Sequence, residues 1–268
     1  MSVPGVISGS MIISSDPSGL PRYTFKSRPA HLRTRKELTD EGLQASGPAA
    51  GVVEWRTGGV LKTAWLFPAD GYRDPERARR EAIRWADRLL YSDAVILDTE
   101  TTGLDTSTSR VVQIAAIDMR GEVLLDTLVD PGVPIPPETT ALHGITDDTV
   151  AGAPPFAKVL PAVTKALAGR RRGVVVYNRD YDRPLLIAEI DRVRGEGTGV
   201  TWAKQQVAAW RCAMGAWSRY QGEWDDELGD WRRHRLPAGD HTALGDCRAT
   251  LALLQRIATD DPLPEDTA

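Results

Sequence analysis

Cysteine is scarce in this sequence: Cys212 and Cys247 are the only two in 268 residues. Two thiols do not make a disulfide framework, so a reducing cytoplasm is the expected compartment, with both side chains acting as small buried residues. Long apolar runs are also missing. Nothing approaches the roughly 18 consecutive apolar residues of a transmembrane helix, so no membrane partner is expected. The opening stretch MSVPGVISGSMIISSDPSGLPRY lacks a basic segment followed by a long apolar one and does not read as a secretory signal. No internal repeat of about 20–50 residues is visible.

What is present is globular. With 41% hydrophobic and 26% charged residues, the chain can bury a sizeable core as one large domain, or as one domain with a small appendage. The net charge of −4 hides an asymmetry. Residues 1–91 hold 14 Lys/Arg against 10 Asp/Glu, whereas residues 92–268 hold 19 against 27. An acidic half is an unusual nucleic-acid binder unless divalent cations neutralise part of it, and the weakly basic first half can supplement backbone contacts.

Along the chain, residues 1–28 are rich in Ser, Gly and Pro without a period and are expected to form a flexible tail, as are residues 260–268. Residues 29–91 read as a small N-terminal unit. It holds a basic helix over 31–44, ending near Gly42, which reads as a solvated helix, with phosphate contacts by Arg33, Arg35 and Lys36 as the alternative. A hairpin follows, its two apolar runs separated by Thr57-Gly58-Gly59. The cleanest helix covers 74–91, with Asp74 as N-cap and Pro75 at the first helical position. Residues 92–259 begin with strands at 94–98, 111–119 and 122–130. A short helix near 138–142 follows, then a helix at 156–168 interrupted or kinked at Pro161, a buried strand at 173–178 and helices at 179–193, 210–224 and 244–258. This succession predicts an α/β domain, a mixed sheet flanked by helices, with a small α+β extension before it. Trp210, Trp217, Trp224 and Trp231 recur every seven residues; on a helix they form a stripe, read as core, with a base-stacking platform or an oligomer seam as alternatives.

Three acidic motifs carry the chemistry. Asp98 and Glu100 end the first strand in LDTETTGL. Residues two apart on a strand point to the same face, so both carboxylates project together, at a cost that a cation between them relieves. Oxygen-only ligands suit Mg²⁺ or Mn²⁺ rather than zinc. In VVVYNRDYDRPLL, a buried strand ends at Asn178, and Asp182 falls in the first turn of the next helix, facing back to the strand ends; Asp180 points elsewhere. In HTALGDCRATLALL, His241 precedes the final helix. Asp246 borders its buried stripe of Leu244, Cys247, Leu251 and Leu254 and needs a partner there.

In this order, D-x-E, then N-x-x-x-D, then H-x-x-x-x-D, residues 93–258 resemble the DEDDh branch of the exonuclease superfamily, which includes polymerase proofreading subunits, RNase T and oligoribonuclease. The QIAAI strand (113–117) and ALHGIT segment (141–146) agree with it. The resemblance implies an RNase H-like five-stranded sheet and a metal-dependent 3′→5′ exonuclease that releases nucleoside 5′-monophosphates from DNA or RNA. Asp98, Glu100, Asp182 and Asp246 would hold two Mg²⁺ or Mn²⁺ ions, and His241 would be the general base. Thr101, Thr102, Gly103 and Leu104 would lie beside the terminal nucleotide, Leu104 as a wedge; His143 would line its pocket, and Asn178 would bond the strand or orient a neighbour. The sequence departs from the family in carrying Tyr177 and Tyr181 where His and Phe are common. A homodimer and a protein partner for the N-terminal unit are compatible with the resemblance. The alternative function is a nucleic-acid-binding or polymerase- or helicase-recruited adaptor module with little activity of its own.

Overall fold

The computed structural model describes residues 14–15, 19–40, 49–68, 75–225, 227–228 and 230–260. They fall into two compact units, one within 1–81 plus 218–233, the other within 82–217 plus 234–268. The expected tails lie largely outside the described residues, as do the helix end near Gly42 and the Asp74 cap.

The first unit is built on β1 (Ser14–Ser15), β2 (Pro21–Tyr23), β3 (Leu32–Thr34), α1 (Arg35–Asp40), β4 (Gly51–Thr57) and β5 (Val60–Pro68), with sheet order β1-β2-β4-β5-β3. Two expectations change here. Pro21–Tyr23, assigned to a tail, pair with β4, and Tyr23 joins Leu32, Val53 and Leu66 in the core. The basic helix starts only at Arg35, because Leu32 and Thr34 are buried as strand residues. Thr34 and Glu37 then form a reciprocal cap: the Thr34 N–H and hydroxyl donate to Glu37 Oε2, and the Glu37 N–H donates to Thr34 Oγ1. Gly58 and Gly59, both left-handed, close the β4–β5 hairpin between the paired Thr57 and Val60. Helix α2 (Pro75–Leu90) carries the chain into the second unit.

That unit contains β6 (Val95–Thr101), β7 (Val111–Asp118), β8 (Val123–Leu128), α3 (Pro137–His143), α4 (Asp147–Val150), α5 (Phe156–Leu167), β9 (Val174–Val176), α6 (Arg179–Arg194), α7 (Thr198–Gln206), β10 (Trp210–Cys212) and the start of α8 (Ala213–Gln221). The ribbon β11 (Trp224–Asp225) and β12 (Asp230–Trp231) belongs with the first unit, and α9 (Ala243–Ala258) returns to the second. The sheet order is β10-β9-β6-β7-β8. The pairs β6–β7 and β7–β8 are antiparallel, while β9 runs parallel to both β6 and β10. This is the mixed five-stranded sheet of the RNase H-like fold.

The expected helix at 210–224 is a correction. Trp210–Cys212 extend beside Val174–Val176 as the fifth strand, the helix occupies Ala213–Gln221, and Gly222, left-handed at φ 71°, ends it. The four tryptophans therefore sit on four different elements rather than along one helix, with Trp210, Trp217 and Trp231 buried. α5 runs through Pro161 as one helix.

All seven residues of β6 are buried. Val95 and Leu97 pack with Ile114 and Ala116 of β7, with Leu160 and Val163 of α5, and with Leu185 and Ile190 of α6; each such buried aliphatic chain contributes roughly 1.5–3 kcal/mol. Gly173 fixes the entry to β9. It is left-handed at φ 83°, and a Cβ there would sit 2.1 Å from the Ala209 carbonyl oxygen, which accepts the Val174 N–H. Gly173→Ala is therefore expected to cost about 3 kcal/mol or more, read as a lower urea midpoint; an unchanged midpoint would mean that the β9–β10 pair yields freely.

Candidate active site

Three elements converge at the C-terminal end of β6. Strand alternation places Asp98 and Glu100 on one side of β6, opposite Ala115 and Gln113 of β7. α9 packs on that side: Cys247 Sγ lies 3.6 Å from the Ala115 carbonyl oxygen and 3.8 Å from that of Ile96. This brings Asp246, one turn into α9, to the pair, so that carboxylate oxygens of Asp98, Glu100 and Asp246 lie within 4.8 Å of one another. Asp182 arrives from α6 and accepts a 3.0 Å bond from Thr99 Oγ1. Its backbone N–H bonds the Asn178 carbonyl, so the start of α6 aims it at the strand end.

These carboxylates are placed against electrostatic resistance. Burial pushes Asp98 well above the usual carboxylate range, and the charges of Asp182, Glu100 and Asp246 push it further. Burial, then Asp246, Asp182 and Asp240, raises Glu100 to about 8. Burial raises Asp182 to about 7 against the restraining bond from Thr99. Asp246 is raised by burial and held back by the backbone N–H groups of Asp240 and His241, which donate to its Oδ1 at 3.0 and 3.3 Å. Four carboxylates that repel one another in a buried site, offering oxygen alone, form a donor set that fits hard divalent cations.

His241 is exposed and sits at the entrance to α9 in the left-handed region, φ 58°. Its turn is built by Asp240, whose Oδ1 accepts from the N–H and hydroxyl of Thr242 at 3.0 and 2.8 Å. The space for that carboxylate exists because residue 245 is glycine; a Cβ there would meet Asp240 Oδ1 at 1.9 Å. Thr242 in turn caps α9 through the Gly245 N–H, and Gln113 of β7 accepts the Ala243 N–H at 3.0 Å. Asp240 and Gln113 are site-building residues that motif spacing did not identify. The Asp-x-Thr turn signal was legible for the first; no local signal marked Gln113.

The loop after β6 holds the remaining candidates. Thr101 Oγ1 donates to the Gly103 carbonyl at 2.8 Å, and the Thr102 hydroxyl accepts from the Arg110 N–H at 2.9 Å. Tyr181, at a position of departure from the family pattern, has both the Gly103 carbonyl and Thr101 Oγ1 within hydrogen-bond reach and donates its one hydroxyl proton to either of them. Burial lifts this phenol to about 12, so it stays protonated. Leu104 projects from the loop 87% exposed. His143, at the end of α3, is buried; its Nδ1 accepts the Ile145 N–H, which leaves Nε2 to donate to the Thr101 carbonyl at 3.2 Å. Burial keeps its pKa below the ordinary imidazole value, favouring this neutral form. Asn178 stands at the N-cap of α6 without a side-chain capping bond, and its Oδ1 is buried with no partner among the described residues.

Residues 95–254 match the family described as Exonuclease. Among curated proteins, the uncharacterized exonuclease CP81 of Escherichia phage 186 is 36% identical over 183 residues, covering 65% of this chain and 92% of that protein. A DNA polymerase III subunit epsilon-like protein of Rhodobacter capsulatus is 40% identical over 121 residues, 37% of this chain but 17% of that protein. Among solved structures, the zinc-bound complex of E. coli exonuclease I with single-stranded DNA aligns with a TM-score of 0.51 at 18% identity, over 64% of this chain and 41% of that one. That likeness concerns the fold. Among the described residues, no helix is long and apolar enough to cross a membrane.

Proposed function

The chain belongs to the exonuclease family, and from that premise we propose that it removes nucleotides one at a time from the 3′ end of a DNA or RNA strand, releasing nucleoside 5′-monophosphates. The observation that carries this reading is the convergence of Asp98, Glu100 and Asp246 within 4.8 Å, with Asp182 bonded through Thr99 beside them and His241 at the rim. Mg²⁺ or Mn²⁺, two ions held among these four carboxylates, would supply the positive charge that an in-line displacement at phosphorus requires.

The protein's own groups do the rest. His241, exposed at the entrance to α9, takes the proton of the attacking water as general base. The new bond joins that water oxygen to phosphorus, and the bond that breaks leaves the 3′ oxygen on the penultimate nucleotide. The exposed imidazole can also exchange its proton with solvent for the next cycle. Thr101, Thr102 and Gly103 shape the bed for the terminal nucleotide, Leu104 wedges against its base, and neutral His143 holds the Thr101 carbonyl in place. Asn178, with a buried acceptor to spare, orients a group entering the site.

The test is a 5′-labelled single-stranded DNA or RNA incubated with Mg²⁺, Mn²⁺ or EDTA. A ladder shortening from the 3′ end, abolished by EDTA, is expected. His241→Ala should slow release by about 10²–10⁴-fold. Early release of the 5′ label as a mononucleotide, or no degradation by folded protein in either metal, would overturn the reading. The Tyr181 tether adds a finer expectation. Tyr181→Phe removes its bonds to Gly103 and Thr101, and kcat/KM should fall by about threefold to tenfold. No change would mean that the loop holds its shape without the phenol.

A further inference from the structure

The N-terminal unit has a surface that the hydrolytic site does not use. The three carboxylates described between residues 19 and 68 are all neutralised: Glu37 by Arg28, Asp40 by Lys36 and Glu54 by Arg22. Arg33 pairs with Asp230, and the Arg35 guanidinium lies 4.5 Å from the centroid of the Phe67 ring. The cations offered as the alternative phosphate contacts are thus engaged within the fold. Lys26, Arg56 and Lys62 are different. None of them has a carboxylate partner among the described residues, and all three are exposed. Arg56 donates only to the Gly59 carbonyl at the hairpin tip.

Aromatic rings lie beside these charges. Phe25 is 46% exposed, and its ring centroid is 5.4 Å from that of Trp55. Lys62 stands directly across the β4–β5 hairpin from Trp55, and Lys26 follows Phe25 in the chain. The turn that presents Phe25 and Lys26 is fixed by bonds between Thr24 and Ser27 and by the Arg28 N–H on the Thr24 carbonyl. The Arg28 guanidinium, 5.3 Å from the Phe25 centroid, supports the ring from another side. An ordered ring pair flanked by uncompensated cations is complementary to a chain that carries a phosphate and a flat base at each step.

We propose that Phe25, Trp55, Lys26 and Lys62 form a second nucleic-acid contact, which binds the body of a single strand by base stacking and phosphate pairing. Arg56 extends the positive charge to the hairpin tip. The inference rests on the nuclease reading for the chemistry of its ligand and adds a binding surface to it. Stacking tolerates any base, so the contact discriminates single strands from duplex rather than one sequence from another.

The experiment measures anisotropy of a 3′-fluorescein single strand of about 20 nucleotides, with full-length protein in EDTA so that no hydrolysis occurs. Phe25→Ala is expected to weaken binding about tenfold. The double variant Lys26→Ala, Lys62→Ala is expected to lower the slope of log affinity against log salt by about 1.4, or 0.7 for each phosphate no longer neutralised. Both variants change exposed side chains. Hydrolysis of the p-nitrophenyl ester of thymidine 5′-monophosphate with Mn²⁺, a substrate too small to reach beyond the hydrolytic site, should be unchanged in them. Unchanged affinity and salt slope would overturn the proposal. Failure of the wild-type chain to hydrolyse either ester or strand would instead overturn the exonuclease reading, and the binding measurement would stand apart from it.

Discussion

Asp98→Ala is expected to lower nucleotide release by about 10³-fold, with the fold retained. Asp98 stands at the centre of the carboxylate group: Asp182, Glu100 and Asp246 all raise its pKa, after burial itself. Removing it would take away a carboxylate from the group that would hold the divalent cations. Asp180→Ala, two residues before Asp182 and exposed, is the matched control and should leave the rate unchanged. Asp98→Asn sharpens the expectation, because it keeps the shape and removes the charge. In EDTA at about pH 8 this variant should melt higher than the wild type, since a buried carboxylate that three neighbours repel has been neutralised. Activity lost with stability gained would mark Asp98 as a residue kept for chemistry at the expense of the fold. Loss of both would indicate a structural role, and retention of activity would remove Asp98 from the mechanism.

Much of this site was legible because strand periodicity is strict. Asp98 and Glu100 had to share a face of β6 once AVILD was read as a strand. Asp182 and Asp246 lay in the first turns of helices that follow sheet strands or loops, where a carboxylate can turn back to the strand ends. Long-range pairing is what the sequence did not display. Trp210–Cys212 run straight into a helix, and nothing local separates the two; the strand exists because Val174–Val176 offer it a partner. α7 was not expected, because Thr198–Gln206 has no broad apolar face and contains Gly199. That glycine is where α6 comes close: a Cβ would lie 2.2 Å from the Ile187 carbonyl oxygen. Gln113 likewise reads as an ordinary strand residue until α9 docks its first N–H groups near it. The Arg33, Arg35 and Lys36 cluster shows the converse: its charge was legible, but its partners, Asp230, Phe67 and Asp40, were not.

The metal-free protein is expected to lose about 2 kcal/mol of stability between about pH 6.5 and pH 8.5, and divalent cations should restore it. The sign follows from which state binds more protons. Burial and like-charged neighbours raise Glu100 to about 8, and burial raises Asp182 to about 7, while both groups ionise near 4 when unfolded. Between these limits the native state holds protons that the unfolded chain has released, so stability is highest at low pH and falls until the folded groups ionise. Asp98 and Asp246, also raised chiefly by burial, add to the loss in the same direction; the remaining shifted groups act mainly outside this window. Burial lowers the pKa of His143, so its contribution changes below about 6.5. Bonds from the Ser107 and Thr242 hydroxyls lower Asp105 and Asp240, which affect stability only in acid. Burial raises the Cys247 thiol, which matters only near and above its ordinary range. A divalent cation held by the ionised carboxylates would compete with protons, so its stabilisation should grow with pH; a concentration of 100 times Kd would contribute about 2.7 kcal/mol. Urea unfolding at the two pH values, with EDTA and with each metal, measures the whole cycle. In Asp98→Asn both the pH loss and the metal gain should shrink together, because the same carboxylates produce them. A metal effect that is equal at both pH values, or that survives in Asp98→Asn unchanged, would place cation binding elsewhere on the protein.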